Sequence, residues 1–115
     1  LLCQIYMKED ELNRSQTVSA VFKALGHPSR VFIVETLKEA DYCVCELSDL
    51  VGADMSTVSR HLSILKKAGI VTDRKEGTTV YYSLVCGCLT EMLAGVENII
   101  RMQLESQTAA LVSGD

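Results

Sequence analysis

The chain has 115 residues, 48% of them hydrophobic, with no Trp, one Pro and a net charge of −4. That length suits one domain with a real core and excludes a disordered or collagen-like chain. No apolar run approaches the ~20 residues of a membrane helix, and Leu1–Met7 runs straight into Lys8-Glu9-Asp10-Glu11 without the pattern of a secretory signal, so the expected compartment is cytoplasmic.

In chain order, residues 1–16 read as an N-terminal arm. Val18, Val21, Phe22 and Leu25 recur at helical spacing, and Gly26 ends that helix. Pro28 suits the first turn of the next one, with Val31, Val34 and Leu37 on its buried side. Tyr42-Cys43-Val44-Cys45 is β-prone and precedes a short helix, Glu46 to Val51. Gly52-Ala53-Asp54 is a tight turn, and Ser56 is the expected N-cap of a helix from Thr57 to Ala68, stopped by Gly69. Ile70–Lys75 and Thr79–Leu84 read as two strands of a hairpin around Glu76-Gly77. After Cys86-Gly87-Cys88 comes a long helix lined by Leu89, Leu93, Val96, Ile100 and Leu104, widened by Met92 and Ile99. The predicted fold is mainly α with a small β-hairpin: a winged helix-turn-helix over residues 17–107, followed by a tail at 108–115.

The helix at 57–68 carries the first functional pattern. Val58, Leu62 and Leu65 share one face, and Arg60 lies opposite among Ser56, Thr57 and Ser63, with Ser59 at the edge. Small hydroxyl side chains let a helix backbone approach a major groove, and Arg reaches phosphate or guanine. His61, at the edge of the apolar side, either donates to a phosphate or packs; the sequence leaves both open. Between Ser56 and Ser83 five basic residues, Arg60, Lys66, Lys67, Arg74 and Lys75, face only Asp73 and Glu76. A locally basic face on an acidic chain is compatible with double-stranded DNA. In the hairpin, Arg74, Lys75 and Thr78 or Thr79 are candidates for the DNA backbone.

The second pattern is sulfur. The five cysteines are Cys3, Cys43, Cys45, Cys86 and Cys88. Two Cys-x-Cys pairs in a reducing compartment favour metal or redox chemistry over a structural framework. Soft thiolates select soft ions such as arsenite or antimonite. Residues i and i+2 diverge by ~200° on a helix but point the same way on a strand, so Cys43 and Cys45 converge where the chain is extended or distorted.

Several segments together resemble the ArsR/SmtB family of winged-helix metalloregulators: Ala24-Leu25-Gly26-His27-Pro28-Ser29-Arg30, Cys43-Val44-Cys45-Glu46-Leu47, the run from Ser56 to Val71, Asp73-Arg74-Lys75-Glu76-Gly77 and Val80-Tyr81-Tyr82-Ser83-Leu84. The resemblance spans about residues 17 to 105. It implies a homodimer built from the first and last helices, a palindromic operator, release on binding As(III) or Sb(III), and Ser56, Thr57, Ser59, Arg60 and His61 as the DNA-contacting set. In one arsenic-sensing pattern a third Cys lies three residues past the second; here that position is Ser48. The metal candidates are therefore Cys43, Cys45, Cys86 and Cys88, with Cys86, Cys88 or Cys3 as the third sulfur. Same-fold alternatives are a disulfide or persulfide redox repressor and a Cd/Pb sensor. A thiol enzyme or metal-transfer protein is the alternative of another class, although no Cys-x-x-Cys and no Gly-rich cofactor loop is present and no organic cofactor is expected.

Overall fold

The computed structural model describes residues 2–113, and side chains from 10 to 111. Its elements are α1 (Leu2–Leu25), α2 (Pro28–Glu39), β1 (Tyr42–Cys43), α3 (Val44–Val51), α4 (Met55–Lys67), β2 (Val71–Glu76), β3 (Thr79–Leu84) and α5 (Cys88–Ser113). Residues up to Val85 form one compact unit and those from Cys86 onward another. No helix among the described residues is long and apolar enough to cross a membrane.

In the first unit, local chemistry sets each boundary. Pro28 opens α2, capped by His27, whose Nδ1 accepts the Ser29 backbone N–H at 3.1 Å. Gly52 ends α3 at φ 77°, its N–H bonding to the Ser48 carbonyl. Gly69, at φ 79°, closes α4: its N–H reaches the Lys66 carbonyl and the Ile70 N–H reaches that of Leu65. This paired arrangement satisfies carbonyls left over at a helix end and favours a residue without Cβ. β2 and β3 pair from Val71↔Leu84 to Glu76↔Thr79 around a turn at Gly77-Thr78.

The core is formed by Ala24 and Leu25 of α1, Ile33, Val34 and Leu37 of α2, Leu47 of α3, and Val58, Leu62 and Leu65 of α4, closed by Ile70 and Val71. It packs α4 by its apolar side and leaves its polar side outward.

Several boundaries differ from expectation. The segment anticipated as an arm at 1–16 continues α1 as helix, because its residues are helix formers uninterrupted by Pro or Gly. Residues 10–20 are exposed, so no buried stripe betrays them. The anticipated tail is helical as far as Ser113. The N-cap of α4 is Asp54, not Ser56: one carboxylate oxygen accepts the Thr57 N–H at 2.7 Å and the Ser56 hydroxyl at 2.8 Å. A carboxylate at a helix N-terminus gains from the dipole as well as the hydrogen bonds, which also hold the Asp54 pKa below its ordinary value. Finally, Tyr42 and Cys43 join the hairpin as a third antiparallel strand, in the order β1-β3-β2, with Tyr42↔Tyr82 and Cys43↔Tyr81.

In the second unit, α5 buries Leu89 and half-buries Met92 and Leu93. Farther along, Val96, Ile99, Ile100 and Leu104 are exposed, Ile99 to 65%.

Candidate nucleic-acid interface and thiol site

Helix α3, the turn 52–54 and helix α4 form the helix-turn-helix, and β2–β3 the wing. On α4, Ser56, Ser59, Arg60 and Ser63 are exposed and Thr57 half-exposed, while Val58, Leu62 and Leu65 are fully buried beneath them. The outward face thus carries short hydroxyls and one guanidinium, on a helix that cannot rotate without opening the core.

The anticipated DNA set does not lie on one surface. His61 is 8% exposed. Its ring packs against that of His27, tilted by 44° with centroids 4.5 Å apart, and its Nδ1 lies 3.2 Å from the Arg30 guanidinium. Arg30 is only a donor, so Nδ1 accepts and the ring is neutral at that nitrogen. Burial first, then the electrostatic influence of His27, Arg30 and Arg60, pushes the His61 pKa down from 6.5. Arg30 also donates to the Ala24 carbonyl, which ties α4 to the α1–α2 corner. His61 therefore fastens α4 from within.

Arg74 is likewise occupied. It pairs with Glu76 at 3.0 Å and with Asp41, contacts the Ser83 hydroxyl, and sits 5.3 Å over the Tyr81 ring. Glu76 first and Asp41 next raise its pKa, while Arg74 and then Ser83 lower that of Asp41. It braces the wing against the start of β1. Lys66 pairs with Asp73 at 2.8 Å, joining α4 to β2. Arg60, Lys67 and Lys75 are exposed and form no ion pair among the described residues. The missed signal was the spacing of acids: Asp41 and Glu76 meet Arg74, a cation expected at the DNA, and Asp73 meets Lys66 of the basic stretch.

Cys43 and Cys45 are free thiols, the first half-buried and the second exposed. Cys43 ends β1 with extended backbone, φ −89° and ψ 169°, and is also the N-cap of α3. Cys45 is already in the first helical turn, so the anticipated extended stretch from 42 to 45 stops at Cys43. The chain turns from strand to helix between Cys43 and Cys45. The Glu46 carboxylate reaches back to the Cys43 N–H at 3.1 Å; the backbone N–H first and the thiol second lower its pKa. Cys43 thereby joins the wing sheet to the helix-turn-helix.

Ser48, where a third sulfur would complete an arsenic-sensing pattern, is 8% exposed, and its hydroxyl finds no hydrogen-bond partner among the described residues. This position serves the core. In the second unit Cys86 and Cys88 are joined as a disulfide; in that form neither is a thiolate ligand. Among the described residues no group of three or more His, Cys, Asp or Glu gathers as a metal site, and the Cys3 side chain lies outside them.

Residues 27–73, which include the whole helix-turn-helix, match the model of the bacterial regulatory protein arsR family. The cadmium resistance transcriptional regulatory protein CadC homolog of Staphylococcus aureus is 39% identical over 94 residues, covering 72% of this chain and 78% of the relative. The chain belongs to the ArsR family. Among solved structures, Rv0081 of Mycobacterium tuberculosis superposes on this ArsR-family chain with a TM-score of 0.74 at 33% identity, covering 82% of this chain and 95% of that one. The winged helix-turn-helix DNA-binding domain of Mb0332 from Mycobacterium bovis, described as homodimeric, gives a TM-score of 0.74 at 28% identity over 84% of this chain and 89% of that one. The ArsR-family chain is thus a winged helix-turn-helix, DNA-binding transcriptional regulator.

Proposed function

We propose that the protein is a homodimeric repressor that leaves its palindromic operator when cysteine thiolates bind As(III) or Sb(III). One observation carries the reading: the Ser- and Arg-bearing face of α4 is locked outward by a buried side, and Cys43 sits at the joint between the wing and the motif that presents that face.

Arg60 reads a base edge or phosphate, Ser56, Thr57, Ser59 and Ser63 approach the groove, and Lys75 meets the flanking backbone. Arg74 and His61 hold the wing and α4 in place. Two such units bind half-sites about one DNA turn apart, and exposed Phe22 on α1 and Ile99 and Ile100 on α5 are the surfaces offered to a second copy.

Cys43 and Cys45 supply two soft donors. Cys86 and Cys88, once reduced, are a second candidate pair. A third donor for a trigonal ion comes from a second copy, from Cys3 or from an external thiol. Seating an ion on Cys43 and Cys45 constrains a strand end and a helix cap at once, which shifts wing and α3 together. Ion and operator then disfavour each other by the same factor.

Cadmium is a second reading, favoured by the name of the Staphylococcus aureus relative. A gel-shift titration separates the two, using a palindromic duplex selected by the protein from a random library. Arsenite weakens binding of the reduced protein, and Cys43→Ser or Cys45→Ser removes the response. A response to cadmium alone selects the second reading. Unchanged binding with saturating arsenite, antimonite and cadmium overturns both.

A further inference from the structure

Cys86 and Cys88 are joined as a disulfide. It encloses a loop with a sequence separation of 2. Cross-linking so short a loop removes little entropy from the unfolded chain, so it contributes little stability. Both residues are exposed, and exposed disulfides exchange readily. The Cα atoms are 5.3 Å apart, within the range a disulfide spans without backbone movement. The Gly87 carbonyl accepts the Thr90 N–H at 3.1 Å and its hydroxyl at 2.7 Å. That fixes the loop on the first turn of α5. The Cys88 N–H, at the start of that helix, points at the Cys86 sulfur at 3.2 Å.

We propose that Cys86 and Cys88 form a reversible dithiol–disulfide couple, oxidised by hydroperoxides and reduced by small monothiols, as a second input independent of the ion site at Cys43 and Cys45. In the forward direction the Cys86 thiolate attacks the terminal oxygen of ROOH, giving a sulfenic acid and ROH. The Cys88 thiol then attacks the sulfenic sulfur; the S–S bond forms and water leaves. Two thiols lose two electrons and two protons, and the hydroperoxide becomes ROH and water. In the reverse direction two monothiols take over the disulfide by successive exchange.

The test uses the full chain, reduced and freed of reductant, with one equivalent of cumene hydroperoxide. Free thiols are counted by alkylation and intact mass, and the product is run on a non-reducing gel. The expected result is loss of two thiols and of the mass of two hydrogens per chain, with no covalent dimer. Peptide mapping should place the bond at 86–88, and reduced glutathione should restore both thiols. Cys86→Ser and Cys88→Ser each abolish the paired loss, whereas the Cys43→Ser/Cys45→Ser double variant keeps it. Paired loss that survives Cys86→Ser, a bond mapped to Cys43 or Cys45, or covalent dimers in place of the intrachain bond would overturn the proposal. No arm involves arsenite or DNA, so the result stands apart from the fate of the ion-sensing reading.

Discussion

Arg60 and Arg74 show how one residue type takes two roles in one small motif. Arg60 is exposed with no ion pair among the described residues, whereas Arg74 is clasped by Asp41 and Glu76. Arg60→Ala should therefore weaken operator binding by about 1–3 kcal/mol if the guanidinium reads a guanine. In fluorescence anisotropy on the selected duplex, Arg74→Ala should cost much less. Equal losses would return Arg74 to the DNA contacts. Ser48 allows a prediction of opposite sign. Its buried hydroxyl lacks a partner among the described residues, and removing an unsatisfied buried group recovers a desolvation cost. Ser48→Ala should stabilise the fold by about 1 kcal/mol in urea unfolding, and a clear loss would reveal a partner. His61 gives the pH dependence. Its pKa is lowered in the folded state, chiefly by burial, so the unfolded chain binds more protons than the folded one below 6.5. Stability is then fully present above the ordinary His value and falls with pH below it. Asp41, Glu46 and Asp54 act in a separate window: their lowered pKa values stabilise above the ordinary carboxylate range and are lost beneath it. Urea midpoints should drop between about pH 7 and pH 5.5 in the native protein, and His61→Gln should flatten that drop.

At the scale of the element, α4 was readable because its two faces differ in kind. Val58, Leu62 and Leu65 repeat at helical spacing, and all three are fully buried. Leu62→Ala should cost about 2–5 kcal/mol, measured by chemical denaturation, and impair DNA binding only by unfolding. Its surface partners were less readable. Ser56 was the expected cap of α4, and only the geometry shows the Asp54 carboxylate collecting both donors. β1 is two residues long, too short for alternation to register, and its existence depends on pairing with Tyr81 and Tyr82 more than thirty positions away. The same distance hides the ties of Arg74 to Asp41 and of His61 to Arg30. Cys43 and Cys45 were visible as a pair, but the shift from strand to helix between them was not, because it follows from β1 pairing and the Glu46 reach-back.

For the whole molecule, the exposed apolar side chains decide what a single chain leaves unfinished. Phe22 is 51% exposed on α1, and Ile99 and Ile100 are 65% and 52% exposed on α5. These stripes were legible as helical periodicity, and the expectation that they bury in a second copy is the proposed dimer. Ile100→Glu should shift the protein toward monomer in light scattering and reduce operator affinity steeply, since both half-sites must be held together. A variant that stays dimeric would move the interface elsewhere. The central claim is reciprocal coupling between thiolates and DNA, and the affinity of the reduced protein for arsenite, followed by sulfur-to-arsenic absorbance with and without saturating operator duplex, tests it most directly. The account predicts that the duplex weakens arsenite binding by the same factor by which arsenite weakens DNA binding, and that Cys43→Ser erases the effect. Arsenite affinity that is identical with and without the duplex would contradict it.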